Sequence, residues 1–342
     1  MDLRVQQLCS PGEPGFDSVV ELYRADVGER DPGDPVPSPR YVELDLFGLP
    51  PDRTRLLWIA EVDGGPAGYA VATYRTDLGE HRVAEVEIIV AAELRGRGVA
   101  TNLLRCALPE LIGRGLESIL AYTCADVTPE AATAMCTRYG MTKRQQERCS
   151  RVHVDDIDDA LLATWEAAAV DVAPGYWIEQ WEGPVPATLL EAWCTAAAAM
   201  EDAPLDDVEY DAETRRPAEQ QTADESLQAS GFVAYRTLAL GPGSEPAGMT
   251  QLVVHQERPE IGYQGDTGVL AAHRGHGIGR WLKAANYRQT SAAQPDLGLI
   301  ETYNAQSNPW MLEINMAMGF RPHHVYDAYQ APIATVAAAV GV

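Results

Sequence analysis

One motif occurs twice in this chain. Residues 86–100 read VEIIVAAELRGRGVA and residues 265–279 read GDTGVLAAHRGHGIG. At an offset of 179 positions Arg95 falls on Arg274, Gly96 on Gly275, Gly98 on Gly277 and Ala100 on Gly279. Upstream, Pro66-Ala67-Gly68 matches Pro246-Ala247-Gly248 at 180; downstream, Tyr122 matches Tyr303 at 181 and Gly140-Met141 matches Gly319-Phe320 at 179. Landmarks in one order with so little drift identify a duplication. The 342 residues are therefore expected to fold as two copies of one unit.

Periodicity gives both halves the same coarse plan. The first predicts a strand at 3–8, a helix near 17–26, a hairpin of 56–62 with 67–74 across Asp63-Gly64-Gly65-Pro66, and a strand at 84–90. A helix over 99–114, a strand at 118–123, a helix over 129–139 and a closing strand at 145–154 follow. The second predicts strand 177–181, helix 187–200, hairpin 232–255, strand 260–270 and helix 278–290. Strand 298–303, helix 309–318 and strand 324–330 complete it. The Ala-rich stretch before Pro174-Gly175 reads as a linker helix. The expected division is an N-terminal lobe over 1–155, a linker helix over 156–172 and a C-terminal lobe over 173–342.

Composition excludes several classes. Apolar residues make up 46% and charged residues 22%, and no apolar run is long enough for a bilayer. Met-Asp-Leu-Arg has no apolar stretch behind its basic residue, so no leader is read and a cytoplasmic protein is expected. Six cysteines lie at irregular spacing without a Cys-x-x-Cys pair, and the histidines have no zinc spacing; reduced, mostly buried thiols and no metal are expected. The net charge of −24 repels phosphate backbones, which argues against a nucleic-acid partner, and it would draw in a cationic amine. Acidity also serves solubility alone, so it remains a hint about substrate.

The chemistry lies in the repeated strand–turn–helix. Its glycines permit positive φ and close approach of the backbone. The amides of the turn and first helical turn lack intrahelical partners, and the helix dipole adds partial positive charge there. A diphosphate is the expected guest, with Arg95 or Arg274 adding a full charge. Neither copy has the Gly-x-Gly-x-x-Gly of a dinucleotide site or the Gly-Lys-Ser/Thr of a Walker loop, which argues against NAD and ATP.

The apolar strand, the Arg-x-x-Gly-x-Gly/Ala turn and the following helix resemble the acetyl-CoA motif of the GNAT superfamily of N-acetyltransferases. The later strand, helix and Gly319-Phe320, weakened to Gly140-Met141, resemble its next motif. The resemblance covers both halves. It implies a tandem α/β (α+β) architecture in which each lobe is a mixed, mostly antiparallel sheet flanked by helices, with a V-shaped split between central strands. It also implies acetyl-CoA as co-substrate and a small-molecule amine as acceptor. The diphosphate would sit on Arg95, Gly96, Arg97, Gly98, Val99 and Ala100, and on Arg274, Gly275, His276, Gly277, Ile278 and Gly279. The pantetheine arm would lie along Ile88, Ile89 and Val90, or Val269, Leu270 and Ala271. Asn304 and Asn308 match positions that contact the arm.

Direct attack of an amine on the thioester needs a base and an acid. Base candidates are Asp266 and Glu260 in the second half, Glu85 and Glu87 in the first, and Glu301; Asp266 is favoured because it aligns with Glu87. Members of the superfamily commonly carry a tyrosine four residues before the helix-ending glycine, where this chain has Asn315 and Cys136. Asn315 would hydrogen-bond the thioester, and Tyr303, Tyr122 or Tyr326 would serve as acid. The segment after the second lobe's first helix offers Asp202, Asp206, Asp207 and Glu209 to a cationic amine. The second lobe keeps the fuller pattern and is expected to catalyse. A monomer or homodimer without membrane partner is expected; the other class of reading is an acyl-CoA-binding regulator without turnover.

Overall fold

The computed structural model describes residues 2–77, 80–127, 129–172, 174–202, 208, 216–305 and 308–342. The first half of the chain runs β1 (Leu3–Leu8), α1 (Phe16–Arg30), α2 (Pro39–Phe47), β2 (Arg53–Val62), β3 (Gly65–Arg75) and β4 (Val83–Val90). It continues with α3 (Val99–Gly113), β5 (Ser118–Cys124), α4 (Pro129–Arg138) and β6 (Thr142–His153). The second half runs α5 (Asp159–Val172), β7 (Trp177–Glu182), α6 (Leu190–Ala197), α7 (Pro217–Ala229), β8 (Phe232–Leu240), β9 (Pro246–His255) and β10 (Arg258–Val269). It ends with α8 (Ile278–Ala293), β11 (Leu299–Ala305), α9 (Pro309–Ala317), β12 (Arg321–Pro332) and α10 (Ile333–Val340).

The described residues form two compact units, 2–146 with 325–342 and 147–202 with 216–324. This differs from a division at residue 155. In the first unit the sheet order is β1-β2-β3-β4-β5-β12, antiparallel except for the parallel β4–β5 pair. The strand that completes it, residues 326–332 of β12, pairs with 118–124 of β5 and comes from the far end of the chain. The second unit has the order β6-β11-β10-β9-β8-β7, again with one parallel pair, β10–β11. Its completing strand is residues 147–153 of β6, on which 299–305 of β11 pairs. Each unit thus takes its closing strand from the other half of the sequence. Periodicity reveals a strand and not its partner.

Each sheet is covered on both faces. In the first unit Leu103, Leu104, Leu108 and Leu111 of α3 and Val336 and Val340 of α10 pack on one face; Val19, Val20, Val42 and Leu46 of α1 and α2 pack on the other. In the second, α8 buries Ile278 and Leu282 while α6 buries Trp193 and Ala196. The expected linker is helix α5, and its Leu162 and Trp165 lie in the second unit's core beside Tyr287 and Phe320. Three helices escape the periodic reading. Ser38 caps α2 by accepting the Tyr41 N–H at 3.0 Å, with Pro39 at its first position. Helix α7 also begins with a proline, and α10 has an almost wholly apolar sequence without a polar stripe.

The repeated Pro-Ala-Gly has a steric cause. A Cβ at Gly68 would meet Ile89 O at 2.6 Å, and one at Gly248 would meet Gly268 O at 2.7 Å. Glycine is what lets the middle strands of each unit approach at that point. Of the cysteines, Cys136, Cys149 and Cys194 are buried, but Cys9 and Cys106 are exposed. Among the described residues no helix is long and apolar enough to cross a membrane.

Candidate acetyl-transfer site

Both units contain the split. In the second, β10 and β11 pair only over 261–264 and 299–302, so Gly265–Val269 runs free of β11. In the first, β4 and β5 pair only over 83–85 and 118–120, which frees Ile88, Ile89 and Val90 on that side. Antiparallel pairing on the other side is kept to Val90 and Val269. A strand with one bonded and one vacant edge can accept an extended chain as a further strand.

The turn follows directly. Gly275 and Gly277 have φ of +83° and +71°, Gly96 and Gly98 have +75° and +85°, and Gly98 and Gly277 are the N-caps of α3 and α8. Among the described residues the N–H groups of Gly275, His276, Gly277, Ile278 and Gly279 make no backbone hydrogen bond. Five amides converge at the positive end of a 16-residue helix, which is an anion site by construction. In the first unit Gly96, Gly98, Val99 and Ala100 are free in the same way.

The arginines behave otherwise than expected. Arg274 donates from Nε to Val269 O at 3.0 Å, and Arg95 donates to Val90 O at 3.2 Å. Both fold back on the strand end. Arg95 also forms a bidentate pair with Glu29, with Nη1 at 2.6 Å from Oε1, so its charge is already compensated. His276 turns from the cleft: its Nδ1 lies 3.2 Å from His273 O and its ring stacks on Tyr176. Leu270 gives its N–H to Ala247 O, closing the strand pair where the turn begins.

A cleft of about 930 Å³ opens on the second unit's turn. Val269, Arg274, Gly275, Gly277, Ile278 and Gly279 line one side, Asn308, Trp310, Met311 and Ile314 of the α9 region another, and Ala199, Met200 and Thr267 its far end. Asn308 caps α9 by accepting the Met311 N–H at 3.3 Å.

The GNAT acetyltransferase family profile matches residues 16–141, within the first unit. The chain is 29% identical over 276 residues to the mycothiol acetyltransferase of Nocardia farcinica (strain IFM 10152), covering 80% of this chain and 82% of that one. A tandem GNAT protein from the clavulanic acid biosynthesis pathway, solved without acetyl-CoA, superposes with a TM-score of 0.76 at 20% identity, over 97% of this chain and 99% of that one. A GCN5-related N-acetyltransferase from Sphaerobacter thermophilus superposes at 0.68 and 18% identity, over 97% and 96%. Residues 16–141 carry a GNAT acetyltransferase domain, and the chain has the tandem GNAT fold. Acetyl transfer is its reaction, and the GNAT family generally uses acetyl-CoA as donor.

The two GNAT units differ where a base would act. In the second, pairing of β9 with β10 shifts between Gln264 and Thr267, a bulge that carries Asp266 out of the regular alternation. Bulges re-aim side chains beside active sites. Glu260 lies at the opposite end of β10, before the paired stretch, and is remote from the split. Glu301 is held by Arg151 at 2.6 Å and accepts the Tyr303 hydroxyl at 2.6 Å. Asn315 is buried and donates from Nδ2 to Asn304 Oδ1 at 2.8 Å, while its own Oδ1 has no partner among the described residues.

In the first unit β4 alternates cleanly. Ala84 and Val86 enter the core, and Glu85 and Glu87 face a small recess with Asp45, Arg55 and Thr73. Glu87 is exposed at its surface, and its charged neighbours are Asp26 and Arg30 of α1, Asp45 of α2 and Glu85 of its own strand. Burial, then Asp26 and Asp45, push it up to about 7 against the pull of Arg30. Periodicity marks Glu87 as one strand carboxylate among several; α2, absent from the sequence reading, brings Asp45 beside it. Asp206, Asp207 and Glu209 lie outside the described residues, as does the side chain of Asp202.

Proposed function

We propose that the protein transfers the acetyl group of acetyl-CoA to a primary amine of a small molecule by direct attack within a ternary complex. The observation that carries this reading is the set of five unpartnered amides at 275–279, opening into the cleft beneath the unpaired edge of β10. The diphosphate would rest on those amides and the thioester arm along Val269, which aims the carbonyl into the split. In the second unit Asp266, beside the register shift of β10, would take the ammonium proton. The likeness to mycothiol acetyltransferase supports a small acceptor.

The engaged donor of Asn315 favours one other reading, a unit that binds acyl-CoA without turnover. Calorimetry with coenzyme A and release of free thiol from acetyl-CoA over an amine panel separate the two. Binding and thiol release support transfer; binding with no release on any amine supports the regulator; no binding by either unit ends both.

A further inference from the structure

We propose that Trp310 is a stacking platform for the purine base of the acetyl-CoA donor, a subsite that the second unit has and the first lacks. The proposal rests on the acetyl-CoA reading above.

Among the described residues Trp310 is the most exposed large apolar side chain, at 78%, whereas the other six tryptophans are buried or half-buried. A single apolar residue in water is ordinary on a protein surface. Trp310 differs because it lines the large cleft of the second unit, and its indole has no ring or cationic partner among the described residues. A large aromatic surface is left open at the mouth of a ligand site.

The helix holds it in one place. Asn308 caps α9, Pro309 stands at its first position, and Arg280 of α8 donates to Glu313 at 2.9 Å, tying the two helices together. Ile314 Cδ1 lies 3.6 Å from where a Cβ on Gly279 would stand, so this face of α9 abuts the first turn of α8. Trp310 is four residues earlier, on the same face and about 6 Å nearer the start of α9. It thus shares the cleft with the free amides of 275–279.

What those amides hold decides what meets the indole. A coenzyme A diphosphate leads to the pantetheine arm on one side and to an adenosine on the other. The unpaired edge of β10 serves the arm. The adenosine needs a flat partner, because bases stack on aromatic rings through their π-faces without a hydrogen-bond code. Two rings line the cleft. His273 is held at Nδ1 by the Tyr176 hydroxyl at 2.8 Å and packs edge-on against that ring, which leaves the Trp310 indole as the open face.

The duplication supplies its own comparison. Helix α4, the counterpart of α9, carries no aromatic residue in its ten positions, and Ala131 stands in the place of Trp310 at the offset of 179. The first unit keeps free amides at Gly96, Gly98, Val99 and Ala100. It grips the donor by anion and arm; the second unit reads the base as well.

The test uses the full chain, with coenzyme A and 4′-phosphopantetheine as probes; the latter has the arm and a phosphate but no base. Coenzyme A is expected to quench part of the tryptophan emission in a saturable way, and Trp310→Ala should abolish that component. Calorimetry should show one coenzyme A site weakened about tenfold or more in Trp310→Ala, and within about threefold of the original in Trp310→Phe, which keeps a flat ring. Affinity for 4′-phosphopantetheine should be the same in all variants. The alanine variant should keep its melting temperature, since the indole is exposed. Unchanged coenzyme A affinity in Trp310→Ala overturns the proposal. Equal weakening of both probes does so too, because it puts the indole over the arm. If the unaltered chain binds no coenzyme A, the acetyl-CoA reading fails and the proposal falls with it.

Discussion

Asn315 of α9 donates its side-chain amide to Asn304 of β11 at 2.8 Å, and this bond ties the helix beside the cleft to the strand beyond the split. Removing Asn315 takes this bond from the half-buried Asn304, a loss of about 1 kcal/mol. Asn315→Ala is expected to lower the melting temperature by several degrees and to weaken acetyl-CoA binding, as read by calorimetry. Unchanged affinity would mean that Asn304 needs no such tether.

Gly277 has φ of +71° at the N-cap of α8, among the free amides. Gly277→Glu adds strain of roughly 1–2 kcal/mol and places a carboxylate where the diphosphate belongs. Coenzyme A affinity should fall about a hundredfold. Gly98→Glu is the mirror experiment in the first unit. Activity that survives the change at Gly277 and disappears with the change at Gly98 would move the main centre to the first unit.

A base held up to about 7 gives a defined pH profile. Protonation of Glu87 removes a candidate base of the first unit, so amine-driven thiol release through that unit should fall as pH drops below about 7. The groups that face it are Asp26 and Arg30 of α1, Asp45 of α2, Tyr69 of β3 and Glu85 of its own strand. A limb that keeps its midpoint in Glu87→Gln would assign the titration to another group.

Lys283 is 1% exposed, with its ammonium 5.6 Å from the Phe320 ring, and burial lowers it from 10.5 to about 7. Between those values the unfolded chain binds the extra proton, so stability rises with pH across that window and is flat below it. Lys283→Met should remove the slope and raise stability at pH 7 by roughly 2 kcal/mol or more, since it exchanges a buried amine for an apolar stem of similar length. Melting curves from pH 6 to 10 check both the sign and the window.

The duplication, the strands and the two turns are legible in the residues because each rests on local chemistry. Gly98 and Gly277 forecast turns of positive φ that open helices, whereas Gly68 and Gly248 read only as repeat landmarks until the fold showed the strand approach they allow. The pairing of β12 with β5 and of β6 with β11 was not legible, since one apolar alternation suits many neighbours. Nor was the buried pairing of Arg236 with Asp224, which joins β8 to α7. Glu260 read as a candidate base because strand position along the split needs the β10–β11 register, which sequence does not contain.

The borrowed closing strands impose an order of assembly during synthesis. Residues 2–146 emerge from the ribosome with the outer edge of β5 bare, and nothing local covers it until β12 follows about two hundred residues later. A chain cut after residue 146 should therefore self-associate through that edge, and supplying 325–342 as a separate peptide should disperse it.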